Sequence, residues 1–392
     1  MLERAVNLTS FEHSSPQVAR IAVGTVFFLN GALFANWVSR IPAVSERLGL
    51  DKAQLGVGLL GLAVGALIAF PAAGWGIARF GSRPVVTAAI ITMSAALVLP
   101  GLAGSLPLLF ASLVVLGAAN GATDVAMNAQ AVEVEKLHAK PIMSSFHAMW
   151  SLGGLVGSGI GALLAGAGFT PLAHFALFGA VGAIAAVIAS SRLLNVPPTH
   201  QTGRVFAAPP RSLIAIGIVL FCAALVEGSM ADWSAVYLKT TLLTTEPFAA
   251  IGYAAFSLAM LAGRLTGDAL KARLGAVTLG RSGGLIAALG MAFALGVGQP
   301  WASLIGFACV GWGVSSLFPM AFSAAGNAQG VNQGVALAAV ATMGYSGFLA
   351  GPPLIGFIAQ ATGLRLALGV VVALALIVAF GSNAFRASER PE

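Results

Sequence analysis

Apolar runs long enough to cross a bilayer recur along this chain from Val18 to Phe385, separated by short polar or Pro/Gly stretches. A bilayer core requires about 20 consecutive apolar residues per helix. The pattern predicts twelve spans, over 18–40, 53–78, 84–103, 106–134, 142–166, 171–193, 212–238, 247–271, 276–298, 300–325, 334–361 and 364–385. Several neighbours are separated only by a Gly/Pro turn, as at Pro100-Gly101 and Gly298-Gln299-Pro300. Pro319, which lacks a backbone donor, predicts a bend after Ser315-Ser316 in the tenth span. The expected fold class is an all-α membrane protein.

The chain also repeats itself. At a constant offset of 194 residues, Arg79-Phe80-Gly81 matches Arg273-Leu274-Gly275, Gly117 matches Gly311, Gly153 matches Gly347 and Gly157 matches Gly351. Two pseudo-symmetric six-helix bundles follow, over 1–193 and 212–392. They are joined by a short linker, 194–211, that holds Pro197, Pro198, Pro209 and Pro210.

Composition agrees with this reading. Hydrophobic residues make up 58% of the chain and charged residues 8%, against roughly 25% charged in soluble domains. The 49 glycines suit close helix–helix approach in lipid. The net charge of +7 is placed asymmetrically. Fourteen of the 20 Lys and Arg lie at the termini and in the loops on the same side, five lie on the opposite side, and Arg264 lies within a span. Basic loops face the cytoplasm, so both termini are expected there. The positive charge then sets orientation and implies no nucleic-acid partner. The N-terminal stretch lacks the basic-then-apolar pattern of a cleaved signal, so the first span is expected to be retained.

Ionisable groups inside spans are costly and mark function. Asp124, His147, Glu227, Asp232, Arg264 and Asp268 are such groups. Asn120, Asp124 and Asn128, spaced i, i+4, i+8, form one polar stripe that must avoid lipid. Asp124, Glu227 and His147 are the candidate proton-coupling groups, and Asp232 reads as a structural residue of the outer mouth. Asn30, Trp37, Asn120, Asn128, Trp150 and Tyr345 are the candidate solute contacts. Arg264 and Asp268, at i, i+4, read as a cytoplasmic gate with Arg273 and the first-half pair Arg79 and Arg83. Neither a phosphate-cradling Gly-x-x-x-x-Gly-Lys-Ser/Thr run nor a Cys/His cluster is present, so no cofactor, metal or enzymatic activity is expected.

The segment Gly74-Trp75-Gly76-Ile77-Ala78-Arg79-Phe80-Gly81-Ser82-Arg83 resembles the loop signature of the major facilitator superfamily, with Ala78 where that signature carries Asp. Three further segments resemble its fucose-permease-like branch, in particular a bacterial inner-membrane group of poorly defined substrate. They are Phe34-Ala35-Asn36-Trp37-Val38-Ser39-Arg40-Ile41-Pro42, Asp124-Val125-Ala126-Met127-Asn128 with Ser144 to Trp150, and Glu227-Gly228-Ser229-Met230-Ala231-Asp232-Trp233-Ser234. The resemblance implies a monomeric secondary transporter of the bacterial inner membrane. It would move a small solute by alternating access, with protons and lipid as its other partners. It also implies proton coupling through the Asp124/Asn128 pattern. The second acid of sugar permeases in this branch is absent, since Val38 and Ser39 stand there. Proton-coupled uptake of a sugar-like solute is the leading expectation. Proton-antiport efflux, suggested by the Gly-rich fifth span, and a non-transporting membrane receptor are the alternatives. The charges are not duplicated with the scaffold: Asp124 matches Phe318 and Glu227 matches Leu33.

Overall fold

The computed structural model describes residues 15–138, 142–195, 213–326 and 333–389. Among the described residues, twelve long helices run back and forth between two faces. In the first half they are α1 (Pro16–Arg47), α2 (Lys52–Phe80), α3 (Ser82–Ala96, followed by the turn Leu99–Leu102), α4 (Leu106–His138), α5 (Met143–Gly166) and α6 (Pro171–Ser190). In the second half they are α7 (Ile214–Val236, continued by Tyr237–Thr241), α8 (Glu246–Leu274), α9 (Ala276–Val297), α10 (Pro300–Val314, resuming as Leu317–Gly326), α11 (Gln333–Thr362) and α12 (Gly369–Gly381, preceded by Leu364–Ala367). Eleven are long and apolar enough to cross a membrane, counting only described residues, and α11 is a further helix of 30 residues. Helices are the necessary solution, because lipid offers no partner for a free backbone N–H or C=O. The break between Val314 and Leu317 is the bend expected near Pro319. The expected linker falls almost wholly outside the described residues.

The ends of the helices carry ordinary stop and start chemistry. Asp51 and Gln54 form a reciprocal capping box at α2, with Gln54 N–H donating to Asp51 Oδ1 at 2.8 Å and Asp51 N–H to Gln54 Oε1 at 3.0 Å. Ser15 and Thr170 cap α1 and α6, each followed by proline. Two helices run longer than the hydropathy pattern predicts. α1 continues through Pro42 to Arg47, and α4 continues to His138.

The internal repeat is visible at the level of single contacts. Gly81 and Gly275 both adopt the left-handed region, φ 84° and 79°, where they turn the chain from α2 into α3 and from α8 into α9. Any side chain there would be strained. Gly117 of α4 lies against the backbone of Leu62 in α2, and Gly311 of α10 lies against the backbone of Phe256 in α8. Both the glycines and their partners are 194 residues apart. A Cβ at either position would collide with a carbonyl that cannot move aside. Gly117→Val and Gly311→Val are each expected to cost at least the roughly 1–3 kcal/mol typical of overpacking. Thermal denaturation in detergent checks this, with Gly104→Val, which faces open space, leaving the midpoint unchanged.

Within each half α1 packs on α5, α2 on α4, α7 on α11 and α8 on α10. Between the halves α5 packs along α8 and α2 along α11. The face that carries Ser15 and Gly381 is called the terminal face below, and its opposite the far face.

Candidate functional site

Three polar clusters meet where the two halves face each other. The first is built on Asn30 of α1. Its Oδ1 accepts from the indole N–H of Trp150 in α5 at 2.8 Å. Its Nδ2 donates to Asn120 Oδ1 of α4 at 3.0 Å and lies 3.3 Å from Met93 Sδ of α3. One buried amide thus ties four helices together. One turn further along α1, Phe34 packs 6.2 Å from the Trp150 ring and 6.4 Å from Tyr253 of α8, which carries the contact into the second half. Asn30→Leu removes the partner of both Trp150 and Asn120. An unpaired buried polar group costs about 1–3 kcal/mol, so this variant is expected to melt several degrees lower in detergent, with Asn30→Gln intermediate.

The second cluster joins the halves directly. Asp124 Oδ2 accepts from the Tyr345 hydroxyl of α11 at 2.9 Å. Its Oδ1 accepts from Asn128 Nδ2 at 3.2 Å, and the same amide donates to the Asp124 carbonyl at 2.8 Å. Phe70 of α2 covers the Tyr345 ring at 4.7 Å. The polar stripe Asn120-Asp124-Asn128 therefore faces α1 at one end and the opposite half at the other, as its spacing requires.

The third cluster centres on Arg264 of α8. Its Nη2 lies 3.5 Å from Glu227 Oε1 of α7. Its Nη1 crosses to α5, donating to Ser151 Oγ at 2.8 Å and to the His147 carbonyl at 3.3 Å. Its guanidinium lies 5.5 Å from the centre of the Trp150 ring. Trp150 is thus shared between the Asn30 and Arg264 clusters.

Arg264 and Asp268, expected to pair in a cytoplasmic gate, have different partners in this conformation. The i, i+4 spacing allows that pair, but Arg264 turns to Glu227 on the neighbouring helix, where a desolvated guanidinium finds a desolvated counter-charge. Asp268 instead accepts from Ser144 Oγ of α5 at 3.0 Å, a bond between the halves near the terminal face. Trp37 is not in any of the three clusters. It is fully buried between α1 and α6 against Phe175, at 6.2 Å. The His147 imidazole packs edge-on to Phe27 at 5.4 Å, and its backbone carbonyl accepts from Arg264. Arg79 lies over Trp75 and Phe80, at 5.8 and 5.7 Å. Arg83 donates to the Ser191 carbonyl at 3.2 Å within its own half, and Arg273 is exposed.

The far face holds residues that the sequence reading left out. Arg40 of α1 is only 2% exposed and pairs through Nε with Glu246 at the start of α8, 3.0 Å away and in the other half. Its Nη2 donates to the Phe169 carbonyl at 2.6 Å. One turn earlier Asn36 Oδ1 meets His174 Nε2 of α6 at 2.5 Å. Lys52 adds two more bonds between the halves, Nζ to Thr240 Oγ1 at 3.0 Å and backbone N–H to Gln360 Oε1 at 3.2 Å. The signal for this lock was the i, i+4 pair Asn36/Arg40, which continues the polar face of α1 to the predicted end of the span.

Comparison with known proteins places these features in a family. The family model described as the Major Facilitator Superfamily matches residues 23–328. The chain is 38% identical over 365 residues to an uncharacterized MFS-type transporter of Yersinia pestis, covering 93% of this chain and 95% of that protein. It is 35% identical over 375 residues to the membrane protein MosC of Rhizobium meliloti, covering 95% and 92%. Among solved structures, the nucleoside transporter NupG superposes with a TM-score of 0.72 at 14% identity, covering 95% of this chain and 100% of that one. A D-xylose-proton symporter superposes at 0.70 with 15% identity, covering 93% and 97%.

Proposed function

This chain belongs to the major facilitator superfamily of transporters, and we propose that it carries a small, sugar-like polar solute into the cell together with protons, by alternating access. The observation that carries this reading is the bond from Tyr345 of the second half to the Asp124 carboxylate of the first. A carboxylate that takes up a proton loses its capacity as a charged acceptor, and charge-assisted hydrogen bonds are roughly twice as strong as neutral ones. Protonation of Asp124 therefore weakens a contact between the halves, and a proton becomes a ligand that shifts the balance of two conformations.

The moving bodies are the bundles over 1–193 and 212–392. With both termini in the cytoplasm of a bacterial inner membrane, the far face is periplasmic. The Arg40–Glu246 pair and the Lys52 bonds then join the halves at the outer side. Ser144–Asp268 is the bond between halves on the inner side that must rearrange during the cycle. Asn30, Asn120 and Trp150 offer hydrogen-bonding edges and an aromatic face to the solute. Uptake is favoured over efflux by the packing of α5. Gly153 and Gly157 lie against the α1 backbone at Phe28 and Ala32, so close helix packing accounts for glycines that otherwise suggest an antiporter. One of the solved structures with this fold is named for sugar–proton symport.

Reconstitution in liposomes tests the proposal. With the inside alkaline, a sugar and polyol panel is expected to show solute-dependent proton entry and solute accumulation. Proton exit on solute entry would establish efflux by antiport instead. Solute-independent proton flux for every compound would remove the transport reading.

A further inference from the structure

The Arg264–Glu227 pair is made in an unusual way for a desolvated ion pair. At 3.5 Å it is longer than the 2.7–2.9 Å of a good N⁺–H···O⁻ bond. Each side chain is about nine-tenths buried, at 9% and 11% exposure. The other contacts of Arg264 are firm and lie on the opposite half, through Ser151 and His147, with Trp150 under the guanidinium plane. The arginine is therefore positioned from α5, and its Nη2 is held only by a loose carboxylate. Planar guanidinium forks suit a carboxylate bidentately, and a buried arginine must keep some anion beside it. Two anions can meet that requirement in turn: Glu227, or a carboxylate brought by the solute.

We propose that Arg264 binds the carboxylate of a small hydroxy acid, and that Glu227 takes up a proton as it gives the arginine up. This rests on the transport reading above and names its substrate class. The hydroxyls of such a solute fall to the amide edges of the Asn30 cluster, and its carboxylate to Arg264, both within reach of Trp150. The exchange balances in charge: one anion and one proton enter, and the guanidinium stays paired throughout. The titratable groups that face the pair are His147 of α5, Tyr253 of α8 and Tyr345 of α11, and Asp232 of α7 faces Tyr253 in turn. Asp124 is engaged separately by Tyr345 and Asn128, so the driving proton and the anion-compensating proton occupy different carboxyls.

Because proton and anion binding are linked reciprocally, hydroxy-acid affinity should fall about tenfold per pH unit across the range where Glu227 ionises. The test is thermal shift of the purified full chain in detergent, between pH 5 and 9. Ligands are hydroxy acids from glycerate to gluconate, each against its neutral counterpart from glycerol to glucose. The expected result is stabilisation by at least one acid and not by its neutral counterpart, with the tenfold pH slope. Glu227→Gln should bind that acid with no slope, and the acid should restore the stability this variant loses. Arg264→Gln should lose the acid. If Arg264→Gln does not fold, the charge-neutral double variant Glu227→Gln/Arg264→Gln replaces it, with the same expected loss. Equal binding of acid and neutral partner, no acid binding at all, a slope that persists in Glu227→Gln, or acid binding retained without Arg264 each overturns the inference. The two readings fail separately. Accumulation of a neutral sugar without acid binding leaves transport standing and removes this site. Acid binding with the predicted slope but no solute-driven proton flux leaves the site and removes transport.

Discussion

Asp124→Asn is expected to abolish pH-driven accumulation while leaving solute exchange across the membrane intact. A gradient of one pH unit supplies about 1.36 kcal/mol per coupled proton, which sets a ceiling of about tenfold on accumulation of a neutral sugar carried with one proton. The Asn variant should bring that ratio to about one. The amide keeps the shape of the carboxyl, but its single oxygen can accept from only one of Tyr345 and Asn128, which now donate to separate carboxylate oxygens at 2.9 and 3.2 Å. It cannot change charge, so the contact between the halves no longer depends on a proton. Exchange needs only the conformational cycle and should persist, whereas accumulation needs the coupling. Tyr345→Phe separates the two elements further. It removes the cross-half donor but leaves a titratable carboxyl, so accumulation should survive with an altered pH optimum. Parallel measurements of pH-driven uptake and of counterflow in liposomes decide the matter. An Asn variant that still accumulates tenfold places the coupled proton elsewhere.

Glu246→Leu at the far face should have the largest effect on stability. It strands Arg40, which is 2% exposed and would retain only the Phe169 carbonyl. Breaking a buried pair from one side costs about 3–5 kcal/mol. The reverse change, Arg40→Leu, should cost less. Glu246 is 26% exposed and stands in the first turn of α8, where the positive end of the helix favours a carboxylate. The pair is thus asymmetric, and the order of the two melting temperatures is the prediction. Both variants are also expected to loosen the far face. Cysteines placed near Gly166 and Pro247, where α5 meets α8 at the far face, should label faster with a membrane-impermeant thiol reagent. Unchanged labelling in a folded variant would mean that the pair does not hold that side shut.

The residues differ in how plainly they announced these roles. The Asn120-Asp124-Asn128 stripe was legible because all three belong to one helix, and a period of 3.6 places them on one face without any knowledge of neighbours. The Asn30 candidates were legible by type, but not the fact that one amide serves Trp150, Asn120 and Met93 together. The partner of Arg264 was not legible, because its sequence neighbour Asp268 offered one at the right spacing. Its actual counter-ion is 37 positions away on α7, and only the approach of two helices brings them together. Arg40 looked like a loop cation because the apolar run ends there. The helix continues to Arg47, and burial of a cation past the apolar run requires the second half to supply Glu246.

The sequence by itself determined the number of helices, their division into two halves and the positions where backbones touch. The bilayer compels a helix wherever an apolar run is long enough, and a repeat at 194 residues carries its glycine contacts with it, as Gly117 on Leu62 and Gly311 on Phe256 show. Tertiary structure alone decided which charges are partners. Pairings such as Tyr345 with Asp124, Arg264 with Glu227 and Arg40 with Glu246 depend on helix tilt and rotation. Those are set by the sum of many weak packing contacts, and no local pattern of residues encodes them.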